Sequence, residues 1–143
     1  MNTSPRRIAA AVALAATIAT SWNAQASIAQ DAAAGLSDTE WHLVSIGSTV
    51  VTGSDPQLRL AADGTVGGST GCNMMRAGYT SDGGSLEFGP IGTTRKFCHG
   101  VWETERAFLS MLEDVRGYTI SGGTLTLTGG NGEVLAEFRS TAN

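Results

Sequence analysis

Two cysteines, two histidines and charged residues at only 15% of the chain leave little material for most kinds of site. What charge there is leans acidic, with thirteen Asp and Glu against nine Lys and Arg. A balance of that sign lacks the basic footprint that a polyphosphate partner requires, which excludes nucleic acid as a partner. Cys72, Cys98, His42 and His99 are too few, and too far apart, to show the ligand spacing of a zinc site, so neither a metal nor any other cofactor is expected. Gly67-Gly68-x-x-Gly71 precedes no Lys and opens no helix, which excludes a phosphate loop. Among the many Ser and Thr residues no nucleophile elbow is read. Cys98 and His99 are adjacent, and neighbours on a strand point to opposite faces, so they do not form a nucleophile and base by themselves.

A long apolar run is also lacking outside the N-terminus, and the one at the N-terminus is short. Arg6 and Arg7 form a basic start, residues 8–20 are an uncharged stretch rich in Ala, Val, Leu and Ile, and Ala24-Gln25-Ala26 offers a small-x-small cleavage site. This pattern reads as a secretory signal peptide over residues 1–26, with Ser27-Ile28-Ala29 as an alternative site. A membrane span would need about 20 consecutive apolar residues, and no cysteine follows the run to carry a lipid. The product is therefore expected in the periplasm or outside the cell, as a monomer with no stable membrane anchor after cleavage. Removing Arg6 and Arg7 leaves seven basic residues against thirteen acidic ones, a mature net charge of about −6. Both cysteines would meet an oxidising compartment, where a bond between them is allowed; two separate buried thiols are the alternative.

The remainder divides into a flexible tail, residues 27–35, and one domain, residues 36–140. Trp41 and Leu43 alternate with polar neighbours in a first strand, with Ile46 as a further core candidate and His42 pointing outward. Leu58 and Leu60 resume the alternation, and Asp63-Gly64 turns the chain. The paired Gly67 and Gly68 suggest a bulge or a close backbone approach in the return strand. Residues 78–88 and 117–127 then match without a gap: each has Gly-Tyr-Thr, a Gly-Gly turn and two apolar residues two apart. The glycines suit the φ > 0 positions of a primed hairpin turn. These are two copies of one hairpin. Val134, Ala136 and Phe138 alternate along a last strand.

Between the two copies lies the one helical pattern after the N-terminus. Phe108, Met111, Leu112 and Val115 fall at i, i+3, i+4 and i+7 and form a core face. Glu103 and Glu105 suit the first turn, where a catalytic acid is the rarer reading of Glu105; Arg116 suits the last turn, and Gly117 the left-handed position that ends a helix. The sum is an α+β domain: an antiparallel curved sheet or incomplete β-barrel of seven to eight short strands with one helix packed on it.

Several pieces resemble a known family in the right order. They are Trp41-x-Leu-Val-Ser-Ile, Asp63-Gly64-x-Val-x-Gly-x-x-Gly71-Cys72-Asn73, Leu86-x-Phe88-Gly89-Pro90-Ile91-Gly92-Thr93-Thr94-Arg95, Cys98, Glu103-Thr104-Glu105-x-Ala107-Phe108-Leu109 and Leu125-x-Leu127. Over residues 36–139 the chain is similar to the META-domain family, which includes the HslJ-type heat-shock proteins. The resemblance implies an envelope or secreted protein linked to stress tolerance, with no established catalytic residues to carry over. Many members are lipoproteins, from which this chain departs by lacking the lipid-attachment cysteine.

The function expected is thus non-enzymatic binding of an unknown protein or peptide in the envelope, with a small apolar ligand or a purely structural module as alternatives. A small hydrolase is the least favoured reading. The candidate site is a polar rim of Asn73, Arg76 and Arg95. A bond between Cys72 and Cys98 would bring those loops together, since it holds Cα atoms about 5 to 6 Å apart. Met74 and Met75 are expected on the same edge, and the bland role for Arg95 is hydrogen bonding to backbone carbonyls or a pair with Glu103 or Glu105.

Overall fold

The computed structural model describes residues 35–141, so the signal-peptide expectation for residues 1–26 and nearly all of the expected tail lie outside the described residues. Leu36 is already buried, and its carbonyl accepts the Trp41 Nε1–H at 3.2 Å.

Ten strands and one helix follow: β1 (Glu40–Ile46), β2 (Thr49–Val50), β3 (Gln57–Leu60), β4 (Thr65–Ser69), β5 (Met74–Asp82), β6 (Ser85–Phe88), β7 (Gly92–Thr93), α1 (Trp102–Asp114), β8 (Gly117–Ser121), β9 (Thr124–Thr128) and β10 (Val134–Ser140). Eight of them form a ring in the order β1-β3-β4-β5-β6-β8-β9-β10, and β10 returns to β1. The barrel is therefore closed rather than incomplete. Closure is possible because β1 and β10 are both alternating strands of equal length, registered from Trp41 opposite Ser140 to Ile46 opposite Ala136. It removes two edges whose unpaired N–H and C=O groups would otherwise face solvent. The two short strands β2 and β7 lie off the ring, paired to β1 and β5.

An eight-stranded barrel has an interior just wide enough for side chains to fill. Trp41, Leu58, Leu60, Leu86, Leu125, Leu127 and Phe138 do so, each under 2% exposed. Ile46 is not among them: strict alternation along β1 buries Trp41, Leu43 and Ser45 instead. The helix packs on β1, β6 and β10. Phe108, Met111 and Leu112 are its buried residues, with the Phe108 ring 6.3 Å from Phe138. Val115 is also fully buried, but it follows the helix in extended backbone.

The duplicated hairpins are β5–β6 and β8–β9. Tyr79 faces Phe88 in one and Tyr118 faces Leu127 in the other, and both Gly-Gly turns have positive φ at each glycine. Of the two readings for the paired glycines, Gly68 takes the close backbone approach, since a Cβ there would run into the Gln57 carbonyl, and not the bulge, because β3 and β4 pair without a register shift. Gly117 is no left-handed cap, since the chain has already turned extended at Val115 and Gly117 begins β8. A side chain at Gly117 would meet Thr128 Oγ1 at 2.8 Å. The helix end is met instead by Arg116, whose Nη1 donates to the Glu113 and Val115 carbonyls at 3.0 and 2.7 Å.

Candidate functional site

One end of the barrel is assembled from two loops, residues 70–73 between β4 and β5 and residues 94–101 between β7 and α1. Cys72 and Cys98 are bonded, with Cα atoms 5.8 Å apart. Neither sulfur is left as a thiolate, so no Cys nucleophile exists here. Gly71 carries φ +90, a conformation that a side chain would strain, and so turns the first loop back on itself. Thr70, fully buried, accepts the Asn73 N–H at 2.8 Å and donates its hydroxyl to Glu105 Oε1 at 2.8 Å.

Asn73 completes the knot. Its Nδ2 donates to Glu105 Oε1 at 2.6 Å and to the Lys96 carbonyl at 3.0 Å, while Oδ1 accepts from Thr94 Oγ1 at 2.9 Å and from the Lys96 N–H at 2.7 Å. All four bonding positions of the amide are filled. Asn73 is 3% exposed, so it holds the rim together from inside and presents nothing to a ligand. Glu105, read in the sequence as a first-turn acid or a partner for Arg95, has a different role. It sits one turn into α1, and its carboxylate ties the helix to both loops through Thr70 and Asn73 rather than serving the first turn alone. Its acidic first-turn position was visible, but the partners lie more than thirty residues away in sequence.

Arg95 and Arg76 are both exposed. Among the described residues Arg95 joins no salt bridge, so the expected pair with Glu103 or Glu105 does not form. Asn73 and Arg95 line one depression of about 320 Å³ between residues 93–97 and the helix residues Arg106 and Leu109. Arg76 lines an adjoining one with Met74 and Gly92, and Thr93 and Thr94 border both. The two methionines part company: Met74 is 63% exposed, whereas Met75, one residue on along the strand, is buried. Phe97, 76% exposed, lines the depression, and Trp102, 42% exposed, lies with its ring 5.6 Å from the guanidinium of Arg106.

A second polar cluster lies on the outer face of β1. His42 points outward as expected, with Nδ1 at 2.9 Å from Asp55 Oδ1 and Nε2 at 3.0 Å from Glu40 Oε1. The Asp55 hydrogen bond is the largest cause that raises the imidazole pKa above its ordinary value of 6.5. The string Gly67-x-Ser69-x-Gly71 has the spacing of a nucleophile elbow after all, but it lacks the strand-to-helix turn that exposes such a serine. It runs from β4 into the loop before β5, and the Ser69 hydroxyl accepts the Gly71 N–H at 3.1 Å. Both nitrogens of His42 are engaged by carboxylates, so the ring does not act as its base.

No relative with a curated description matches the chain. Among solved structures it is similar to a protein from Burkholderia xenovorans at 25% identity and TM-score 0.61, covering 78% of this chain and 88% of that one. A DUF4847-family protein from Bacteroides vulgatus shares the fold at 15% identity and TM-score 0.55, over 73% of this chain and 93% of that one. The META domain model matches residues 34–142, which takes in every described strand, the helix and the disulfide-bonded end. The chain belongs to the META-domain family.

Proposed function

We propose that the mature chain is an extracytoplasmic, non-enzymatic binding domain that engages a protein or peptide at the disulfide-bonded end of its barrel, in the setting of envelope stress tolerance. The observation that carries the reading is the exposed group of Arg95 and Phe97, on a loop fixed from below by Cys72–Cys98 and Asn73, with Trp102 and Arg106 on the first turns of α1 beside it. Large apolar side chains cost free energy when left in water, and aromatic and Arg residues on a rigid support are what interfaces use as anchors. The bonded cysteines and the N-terminal pattern over residues 1–26 support export. No described helix is long and apolar enough to cross a membrane. A small apolar ligand is disfavoured, because the space beneath the helix is occupied by Phe108, Leu112 and Phe138.

The test is retention of envelope proteins on the immobilised mature protein, compared with a Phe97→Ala, Arg95→Glu variant. A partner held by the first and released by the second is the expected result. Identical retention by both would remove this surface from consideration. N-terminal sequencing of the exported product checks the cleavage, with Ser27 expected as the first residue.

A further inference from the structure

The strand β7 is short, and its hydrogen bonds go one way. It pairs with β5 alone, Thr93 opposite Met75 and Gly92 opposite Arg76, and among the described residues no strand lies on its other edge. Beyond β7 the chain stays in register with the same side. Thr94 sends its N–H to the Met74 carbonyl at 3.0 Å. Lys96 sends its N–H to Asn73 Oδ1 at 2.7 Å and accepts from Asn73 Nδ2 at 3.0 Å. In an extended segment, alternate residues direct both backbone polar groups to the same side. Thr93 and Arg95 therefore direct theirs the opposite way, away from β5; both residues border the depression, with Phe97 beside them, Asn73 and Glu105 at its inner end and Arg106 and Leu109 of α1 as its helical wall.

An open strand edge facing a helix across a groove is the geometry in which an extended peptide adds a strand, its main chain bonding to the edge and alternate side chains reaching into the groove. The charge of the groove selects the peptide. Arg95, Lys96 and Arg106 border it, and among the described residues none of the three is in a salt bridge. The one carboxylate in the lining, Glu105, has its Oε1 committed to Thr70 and Asn73. Leu109 and the exposed Phe97 supply apolar wall. In a chain whose net charge is −4, this is a cationic groove on an acidic body. Such a surface steers an acidic segment towards itself and repels it elsewhere.

We infer that the edge formed by Thr93 and Arg95 is a strand-addition site for an extended acidic peptide, seated between that edge and the Arg106–Leu109 face of α1. The inference rests on the peptide-binding reading above and specifies its chemistry. The Met74 carbonyl takes the inward Thr94 N–H and Asn73 takes both backbone groups of Lys96, while Glu105 and the disulfide fix the loop that carries Asn73; the outward groups of Thr93 and Arg95 are left for the ligand.

The experiment is selection of random octapeptides on the disulfide-intact protein, with an Arg95→Glu, Arg106→Glu variant as counter-selection. The enriched peptides are then synthesised with single N-methyl amides along their length. The expected result is enrichment in Asp and Glu and binding at least tenfold weaker to the variant. The N-methyl effect should alternate, every second position losing tenfold or more, and the Thr93 and Arg95 amides should be protected from exchange on binding. Enriched acidic peptides with a flat N-methyl profile and unprotected amides would overturn strand addition while leaving peptide binding intact. Enrichment of neutral or basic peptides would overturn the acidic specificity. Absence of enrichment over the variant would overturn both readings, and two-fold self-association through protected Thr93 and Arg95 amides would assign the edge to a second copy of the chain instead.

Discussion

Asn73 is worth more to this protein than its size suggests, because its side-chain amide replaces backbone pairing between two loops that share no strand register. Changing Asn73 to Ala strands the Lys96 carbonyl and N–H and removes a donor from Glu105. A hydrogen bond of this kind contributes about 0.5–1.5 kcal/mol net, so losing the four that the Asn73 amide makes is expected to cost roughly 2–4 kcal/mol in urea unfolding with the disulfide intact. A loss below about 0.5 kcal/mol would mean that the loops stand without the knot. His42 makes a second residue-scale prediction. Its folded pKa is raised, so the folded state holds the proton more tightly than the unfolded chain. The stabilising contribution is fully present below the unfolded pKa of about 6.5 and is lost as pH rises through the folded value. Asp55 and Glu40 are the carboxylates that face the ring. Unfolding midpoints of the wild type should therefore fall above about pH 6.5 relative to those of His42→Gln; parallel curves would refute the assignment. The outward direction of His42 could be read from alternation along β1. Its partner Asp55 could not, because it comes from the loop before β3 rather than from a register position.

The same division between local and long-range information runs through the elements. Both duplicated hairpins could be read in the sequence, since a Gly-Gly turn between alternating strands states its own geometry. So could the core face of α1, from the spacing of Phe108, Met111 and Leu112. The short strand β7 and the closure of β10 on β1 could not, because a strand's partner is fixed by tertiary contacts rather than by its own residues. Gly117 misled for a related reason: it is a glycine for lack of room beside Thr128, which a helix-end rule does not see. For the helix, Phe108→Ala removes a fully buried ring packed against Phe138, and truncations of this kind cost about 3–5 kcal/mol. The disulfide joins cysteines 26 residues apart, and in the chain-entropy model a loop of that length is worth about 3.5 kcal/mol. Replacing Cys72 and Cys98 together by Ser should lower stability by about that amount. If residues 94–96 are held by Asn73 as described, the amide resonances of β1 and β10 should keep their positions in that variant while those of residues 94–101 shift.

At the scale of the whole molecule the barrel is a chain of hairpins handed on from one to the next. The carbonyl of Gly64, in the β3–β4 turn, accepts the Tyr79 N–H at 2.9 Å; that of Gly84 accepts the Tyr118 N–H at 2.9 Å; that of Gly123 accepts the Ser140 N–H at 3.0 Å. Each turn thus docks on the first strand of the next hairpin or on the closing strand. The handover at β6–β8 is the thinnest. Ser85 and Gly117 are its only registered pair, flanked by Leu86 N–H to the Arg116 carbonyl at 3.1 Å and by the Tyr118 bond, whereas β1 and β10 are registered along nearly their whole length. A seam with few bonds opens locally at lower free energy than the global transition. In native-state hydrogen exchange the Leu86 and Tyr118 amides should therefore exchange faster than the amides of β10 that face β1 and β9. Gly117→Ala sharpens the test, because its Cβ would press on Thr128 Oγ1 and lie 3.3 Å from the Gly84 carbonyl, wedging the same seam. Exchange at Leu86 and Tyr118 should quicken by tenfold or more, a difference of about 1.4 kcal/mol, with a smaller change in β10. Uniform acceleration around the ring would mean that the barrel opens as one unit and that the seam has no separate stability.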